Sequence, residues 1–473
     1  MLTSLFSEAI TGFLGFSPTP SQRYAIHQFS RFMVEYNEHQ VLIINGYAGT
    51  GKTSLIHAFV KALASYETNS VLMAPTGRAA KVLSNIAQKQ AFTIHKQIYR
   101  QKNAVDQSSG FGLSQNLHKS TIFIVDEASM ISNQSMEGGI FGSGRLLDDL
   151  IEYTFSGDNS KLILVGDLAQ LPPVGVNQSP ALEQEAIEAY GLQCQYLTLT
   201  DVVRQGEGSG ILTNATSLRD LLREGKAGRP TFKVDGFRDF IPLSGEDLIE
   251  SISSSYDREG MEETMVVCRS NKRANLYNQG IRNQILWRDS ELSPGDLLLV
   301  VKNNYFWLPE EYASTGFIAN GDILEVKRIR AYQDLYGLRF ADVLVSMRDY
   351  SDLEFEAKIM LSTLTHDGPS LSEKENQSFY EQVLEDYADL GSKAQIYKAL
   401  KSDSYFNALQ VKFAYAVTCH KAQGGQWKHV YVDQGFIDES QMDREYLRWL
   451  YTAVTRGREK VFLVNFPTAY FQS

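Results

Sequence analysis

The stretch from Gly46 to Thr53 constrains this 473-residue chain more than any other. It reads Gly-Tyr-Ala-Gly-Thr-Gly-Lys-Thr and fills the pattern G-x-x-x-x-G-K-[ST] completely. Residues 41–45 before it are apolar and predict a buried strand, and residues 54–63 after it carry apolar side chains at helical spacing. A strand, a glycine loop and a helix in this order predict a phosphate-binding loop.

The residue types of this loop suit a nucleoside triphosphate. Glycines let the backbone wrap an anion with its N–H groups pointing inward, and the following helix presents its positive end. Lys52 can reach the β- and γ-phosphates, and the hydroxyl of Thr53 can bind Mg²⁺. The predicted nucleotide contacts are Gly46, Ala48, Gly49, Thr50, Gly51, Lys52, Thr53 and Ser54.

A second stretch supplies the acids that hydrolysis of a triphosphate requires. The apolar run 121–125 ends in Asp126 and Glu127. Asp126 at a strand end can hold Mg²⁺, and Glu127 can orient and deprotonate the attacking water. Together with the phosphate loop, this pair predicts an ATP hydrolase that uses ATP and Mg²⁺.

Two more apolar runs end in polar loops. Residues 70–74 lead into Thr76-Gly77-Arg78, and residues 161–165 lead into a loop with Gln170, which could sense the γ-phosphate. With the two strands above, four strand ends imply a parallel sheet in an α/β fold, with the site along its carboxyl edge. Thr, Gly and Arg at such an edge suit contacts to a nucleic-acid backbone.

The charge distribution points to a polyanion bound on one face. The net charge of −11 argues against a simple nucleic-acid coat protein. Residues 76–119, however, hold seven Lys or Arg against one acid, directly downstream of the phosphate loop. A bound polyanion and a merely solvated basic surface both fit this count.

The rest of the chain divides by pattern. Residues 264–268 begin a second α/β unit, and residues 294–360 alternate like strands, which predicts a small inserted β-barrel. Residues 370–405 predict acidic helices before the α/β pattern returns. The polar insertion 96–118 contains Phe111, which could act as a wedge or stacking residue or could pack back onto its own domain.

Composition narrows the class of protein. No apolar run approaches the ~20 residues of a membrane span. The N-terminal stretch lacks the basic start of a signal peptide. Three scattered cysteines predict neither disulfides nor a zinc site, and indicate a reduced, cytoplasmic protein.

Taken in order, these stretches resemble the superfamily 1B DNA helicases, in their RecD-like and Dda-like branch. The resemblance covers almost the whole chain. The segments that carry it are 46–53, 74–80, 125–130, 165–174, 203–205, 418–424 and 453–458.

The resemblance implies two RecA-like P-loop parallel-sheet domains with ATP between them. It places the first domain at 1–195 with a pin insertion at about 96–118. The second domain is split into 196–288 and 406–473, around an SH3-like barrel and acidic helical segment at 289–405.

The resemblance also implies roles for particular residues. It makes Gln22 a reader of adenine, and Arg204 and Arg456 the arginine fingers. Phe111 is the candidate tip of a pin that splits the duplex. Single-strand contacts fall to Thr76, Arg78, Thr93, His95, Thr418 and His420.

The implied activity is ATP-dependent 5′→3′ unwinding of duplex DNA by a protein that translocates on single-stranded DNA. Its partners would be single strands and fork junctions, and a monomer suffices. Three alternatives stay open at the level of the sequence: an RNA helicase of the same superfamily, a translocase that does not unwind, and a single-strand binder that uses ATP only as a structural ligand.

Overall fold

The computed structural model describes residues 2–35, 39–101, 111–134, 142–202, 208–226, 228–309, 317–347 and 353–472. Within these ranges the chain forms two parallel-sheet domains and a closed barrel. This confirms the predicted α/β class and the β-rich insertion.

The first domain is built around a six-stranded parallel sheet. Its elements are α1 (Leu2–Leu14), α2 (Pro20–Val34), β1 (Gln40–Gly46), α3 (Lys52–Ser65), β2 (Asn69–Ala74), α4 (Gly77–Ala87), β3 (Ala91–Thr93), α5 (Ile94–Ile98), β4 (Tyr99–Gln101), β5 (Phe111–Leu113), β6 (Thr121–Val125), α6 (Leu146–Phe155), β7 (Lys161–Gly166), α7 (Gln184–Glu188) and β8 (Gln193–Leu199). The order across the sheet is β3-β2-β6-β7-β1-β8, and β4 pairs with β5 as a separate hairpin.

The central strands are mostly apolar and buried throughout, because helices cover both faces of the sheet. Every residue of β1, β6 and β7 is buried. One core packs α1–α4 on the first face, and another packs α5–α7 on the second. The loops after β1 and β6 therefore emerge at one edge, where the predicted phosphate loop and acids meet.

The first domain extends further than the sequence suggested. β8 pairs with β1 along its whole length, from Gln40 opposite Gln193 to Gly46 opposite Leu199. The predicted boundary at residue 195 is therefore wrong, since it falls inside this strand.

The second domain has a five-stranded sheet in the order β10-β19-β18-β11-β17. Its elements are α8 (Gly210–Arg223), β9 (Phe232–Lys233), β10 (Phe240–Leu243), α9 (Leu248–Glu259), β11 (Thr264–Cys268), α10 (Asn271–Gln284), β17 (Ala416–Thr418), α13 (Cys419–Ala422), β18 (Trp427–Asp433), α14 (Arg444–Val454), β19 (Gly457–Val464) and β20 (Phe471–Gln472). All pairings within the five-stranded sheet are parallel.

The barrel is inserted between α10 and β17. It closes in the order β12 (Leu297–Val300), β13 (Ile323–Leu335), β14 (Leu338–Met347), β15 (Leu353–Met360) and β16 (Leu409–Phe413). Helices α11 (Glu373–Glu385) and α12 (Lys393–Ser402) pack against it through a cluster around Phe340 and Phe379. Because β16 pairs with β12, the barrel runs past the predicted boundary at residue 405.

The barrel also contacts the first domain, at the first residue of α4. A Cβ added to Gly77 would lie 2.3 Å from Oδ1 of Asp322, which is buried in the turn before β13. The absence of a side chain at Gly77 therefore permits this close approach.

Replacing Gly77 with Ala tests that contact. Helix propensity alone predicts stabilisation by about 0.5–1 kcal/mol, but overpacking against Asp322 predicts a net loss of about 1–3 kcal/mol. The matched control is Gly280→Ala in α10, where nothing lies within 4 Å of an added Cβ and stabilisation is expected. Chemical unfolding measures both variants, and a stabilised Gly77→Ala protein would contradict the contact.

Candidate nucleotide and nucleic-acid sites

A cavity of about 270 Å³ lies between the two parallel-sheet domains. The second domain contributes residues that include Gln426, Thr455 and Arg456. The first domain contributes the predicted residues Ala48, Gly49, Gly51, Lys52, Thr53, Ser54, Asp126, Glu127 and Gln170. The fold thus brings the phosphate loop, both acids, the glutamine and one predicted arginine finger to one site.

The phosphate loop is shaped by its glycines. Gly49 and Gly51 have φ values of +77° and +79°, which side chains rarely adopt. A Cβ on Gly46 would lie 2.8 Å from Cγ of Lys52. The ammonium of Lys52 donates to the carbonyls of Gly46 and Tyr47, at 2.5 and 3.1 Å, and so lies within the loop.

The two acids lie at the end of β6. The backbone N–H of Glu127 donates to Oδ1 of Asp126 at 2.9 Å, and Glu127 adopts a left-handed φ of +54°. Burial, reinforced by the neighbouring charge of Glu127, raises the pKa of Asp126 above its usual range. A divalent cation bound here would favour the ionised form of Asp126. The Asp126 carboxylate and the Thr53 hydroxyl both belong to residues that line the cavity, and these two oxygen donors fit a Mg²⁺ site.

Gln170 has a side chain whose position suits a ligand. It is 5% exposed and lines the cavity, and among the described residues its Oε1 has no hydrogen-bond partner. A buried acceptor without a partner costs free energy unless something else supplies the donor. Water or a nucleotide in the cavity would supply that donor, which supports the role predicted for Gln170.

Tyr451, which no sequence motif singled out, contacts the phosphate loop from the second domain. Its hydroxyl donates to Oδ2 of Asp167 at 2.7 Å and accepts the N–H of Ala48 in the phosphate loop at 2.8 Å. Nearby, the N–H of Leu171 donates to Oγ1 of Thr452 at 2.8 Å. Helix α14 of the second domain therefore contacts both the phosphate loop and the loop after β7.

Arg456 directly precedes β19 and is 3% exposed. Its guanidinium donates to the carbonyls of Thr452 and Gly425, at 3.0 and 3.2 Å, and lies 4.0 Å from Oε1 of Glu127. The finger thus lies in the cavity beside the predicted catalytic acid. The other predicted finger, Arg204, falls outside the described residues.

Gln22 is not among the residues that line the cavity. Its Nε2 donates to the carbonyl of Thr50 at 2.9 Å, and its Oε1 accepts the N–H of Thr19 at 3.0 Å. The side chain is fully buried, so in this structure it braces the phosphate loop. Its reading of adenine stays a prediction.

Two of the segments predicted to contact single-stranded DNA are neighbours in the first domain. Ala74 lies opposite Thr93 in the pairing of β2 with β3. Thr76 and Thr93 cap α4 and α5, and each accepts a backbone N–H through its hydroxyl oxygen. Burial lowers the pKa of the neighbouring His95 to about 4, so this ring is neutral at pH 7.

The second domain repeats this arrangement. Thr418 lies opposite Cys268 in the pairing of β17 with β11, and in the described part of the chain its hydroxyl makes no capping bond. His420 follows in α13, where burial lowers its pKa. Ser270 caps α10 as Thr76 caps α4. Ser270 was not predicted, although a signal exists in the sequence. Thr76 follows the end of β2 by two residues, and Ser270 follows the end of β11 by two residues.

Arg78 points at the second domain. Its guanidinium carbon lies 4.1 Å from the ring centroid of Trp427, which is 2% exposed. The predicted contact of Arg78 with a nucleic-acid strand would therefore use the edge of the guanidinium, because its face is covered.

Phe111, the candidate tip of the predicted pin, begins β5 and pairs with Gln101, the last described residue before 102–110. Its ring lies 4.4 Å from that of Tyr305 beside the barrel. A role at the tip of the pin stays a prediction. Residues 102–110 of the predicted pin lie outside the described ranges. The sequence showed a lone aromatic in a polar insertion but not which surface would cover it.

Within the described ranges, no helix has the length and apolar content needed to cross a bilayer.

Comparison with known proteins gives two family matches. Residues 19–231 match the AAA domain family, and residues 413–464 match the UvrD-like helicase C-terminal domain. The ATP-dependent DNA helicase dda of Enterobacteria phage T4 is 25% identical, over 94% of this chain and 99% of that protein. The ATP-dependent RecD2 DNA helicase of Deinococcus radiodurans is 23% identical, over 91% of this chain and 48% of that protein.

Among solved structures, the Pif1 helicase from Bacteroides in complex with ADP-AlF3 and single-stranded DNA aligns with a TM-score of 0.47 and 15% identity. The alignment covers 95% of this chain and 93% of that one.

Proposed function

We propose that this chain is a superfamily 1B helicase related to Dda and RecD: an ATP-dependent DNA helicase that moves 5′→3′ along single-stranded DNA and unwinds duplexes. The two family matches and the similarity to the dda and RecD2 helicases support this proposal. One observation carries the proposal. Lys52, Glu127 and Arg456 line a single cavity, although they come from two different domains. Phosphoryl transfer needs such a set, with positive charge supplied by a partner that can move.

The cavity would hold ATP by its phosphates. The glycine loop would supply backbone N–H groups, and Lys52 a positive charge. Thr53 and Asp126 would hold Mg²⁺, which when bound supplies positive charge at the phosphates. Glu127 would take the proton of the attacking water, and Oε1 of Gln170 would help to orient that water.

Two sets of strand contacts would bind single-stranded DNA, one on each domain. The first set is Thr76, Thr93 and His95, and the second is Thr418 and His420, to which we add Ser270. Hydroxyl and backbone groups at these helix starts suit phosphates. Opening and closing the cavity would change the distance between the two sets, so cycles of ATP turnover would advance the strand.

The β4–β5 hairpin would part the duplex. The end of its described strand pair next to residues 102–110 contacts Tyr305, beside the barrel, through Phe111. A hairpin supported in this way can resist the force of strands that reanneal. A monomeric state and a cytoplasmic location stay predictions from the sequence.

Two partial duplexes test the proposal, one with a 5′ single-stranded tail and one with a 3′ tail. With ATP and Mg²⁺, only the 5′-tailed DNA should be unwound. Matched RNA duplexes serve as the control for sugar preference, since only contacts to the 2′-hydroxyl distinguish RNA from DNA.

The other outcomes are equally informative. Unwinding of the 3′-tailed DNA alone would contradict the direction and leave the motor intact. Better unwinding of RNA would favour the RNA helicase alternative. ATP turnover that DNA stimulates, without unwinding of either substrate, would indicate a translocase and remove the role of the hairpin.

A further inference from the structure

Arg78 and Trp427 form a cation–π contact between the two domains beside the cavity. The guanidinium lies over the indole at 4.1 Å, and the indole is almost completely buried. Arg78 is the second residue of α4, two residues after the capping Thr76. Trp427 is the first residue of β18 in the second domain. The first-domain side of this contact therefore belongs to a segment that is predicted to bind single-stranded DNA.

The same tryptophan holds the predicted arginine finger. Its backbone N–H donates to the carbonyl of Arg456 at 3.0 Å. The guanidinium of Arg456 donates in turn to the carbonyl of Gly425 at 3.2 Å. Gln426, which lies between Gly425 and Trp427 in the sequence, lines the cavity. Segment 425–427 thus contacts Arg78 on one side and Arg456 on the other.

Two glycines allow this close approach. A Cβ on Gly425 would lie 2.7 Å from Nε of Arg78. A Cβ on Gly424 would lie 2.7 Å from Cβ of Ala79 and 3.3 Å from Oγ1 of Thr76. The start of α4 is therefore packed directly on segment 424–427, so a shift of one would move the other.

We propose that Trp427 is a positioning residue that couples binding of single-stranded DNA to ATP turnover. Stacking uses the face of the Arg78 guanidinium, whereas phosphates bind to its in-plane N–H groups. A DNA phosphate would fix Arg78 over the indole, and the fixed indole would hold Arg456 in place through its backbone hydrogen bond. The inference rests on the proposed helicase function, because it links the DNA contact of Arg78 to the catalytic role of Arg456.

The alternative hypothesis is that Trp427 is a core residue that only fills space. That reading predicts loss of stability and equal losses of basal and DNA-stimulated turnover on truncation. The coupling reading predicts a selective loss of stimulation, which an aromatic replacement rescues. The two readings therefore differ in the ratio of the two rates.

The experiment compares wild-type protein with Trp427→Phe and Trp427→Leu. ATP turnover is measured without DNA and with saturating oligothymidylate. Trp427→Leu should lower DNA-stimulated turnover about 10- to 30-fold relative to basal turnover, the size expected for a desolvated cation–π contact. Trp427→Phe keeps an aromatic face and should retain most of the stimulation.

A spectroscopic arm does not depend on the stability of the leucine variant. Trp287, Trp307 and Trp449 are replaced by Phe, so that Trp427 alone reports. Oligothymidylate should change its emission, and Arg78→Gln in the same background should abolish the change at a DNA concentration that saturates this variant.

The outcomes separate the two proposals. If DNA does not stimulate the wild-type protein, the proposed helicase function fails. If DNA stimulates wild-type and Trp427→Leu proteins equally, or leaves the emission of Trp427 unchanged, the coupling role fails while the helicase stands.

Discussion

Replacing Arg456 with Ala should lower ATP turnover by about 10³–10⁵-fold, the range associated with loss of an arginine finger. Arg456 is the described basic residue that the second domain contributes to the cavity lining. Without it, negative charge that develops during phosphoryl transfer would lack a partner from that domain. The rate is measured in steady state with saturating single-stranded DNA.

The variant needs two companions, because Arg456 is also buried and hydrogen-bonded. Arg456→Lys keeps the charge but lacks the planar fork, so it should recover only part of the loss. Arg458→Ala, two residues away, removes an exposed pairing with Glu263 and should leave turnover unchanged. Binding of a fluorescent ATP analogue should persist in all three. Wild-type turnover by Arg456→Ala would reject the finger.

The residues of the nucleotide site were predictable because their signals are local. The glycine loop and the acids at 126 and 127 each follow an apolar strand directly, and parallel strands deliver their carboxyl ends to one edge. Neither signal requires knowledge of any distant segment. The structure accordingly places Lys52, Thr53, Asp126 and Glu127 on one cavity.

The features that escaped prediction are contacts between distant segments. Tyr451 reaches Asp167 across 284 residues, and Arg78 meets Trp427 of the other domain. Tyrosine and tryptophan inside an apolar stretch read as ordinary core residues. Their polar partners become visible only when the two domains are packed together.

Domain boundaries failed for a related reason. The segments 193–199 and 409–413 are both strands in the structure, but an isolated strand does not specify the sheet it joins. Backbone pairing with β1 and β12 decides that question. The predicted boundary at residue 195 therefore split the strand 193–199 between two domains. The boundary at residue 405 placed the strand 409–413 in the second domain instead of the barrel.

Replacing Glu127 with Gln should lower ATP turnover by about 10²–10⁴-fold, the usual contribution of a general base. The amide has nearly the same shape but cannot take a proton from water. Because Glu127 lines the cavity without being needed to hold phosphates, nucleotide binding should survive. Equilibrium binding of ATP and single-turnover hydrolysis, measured on the same preparation, separate the two effects.

Glu188→Gln, on the exposed end of α7, is the matched control and should behave as wild type. A bound but unhydrolysed nucleotide should also keep the cavity closed, so Glu127→Gln should hold single-stranded DNA in ATP without unwinding a 5′-tailed duplex. Unchanged turnover in this variant would show that another group activates the water. Among the acids that line the cavity, Asp126 would be the remaining candidate, and it would then have to serve as base while also holding the metal.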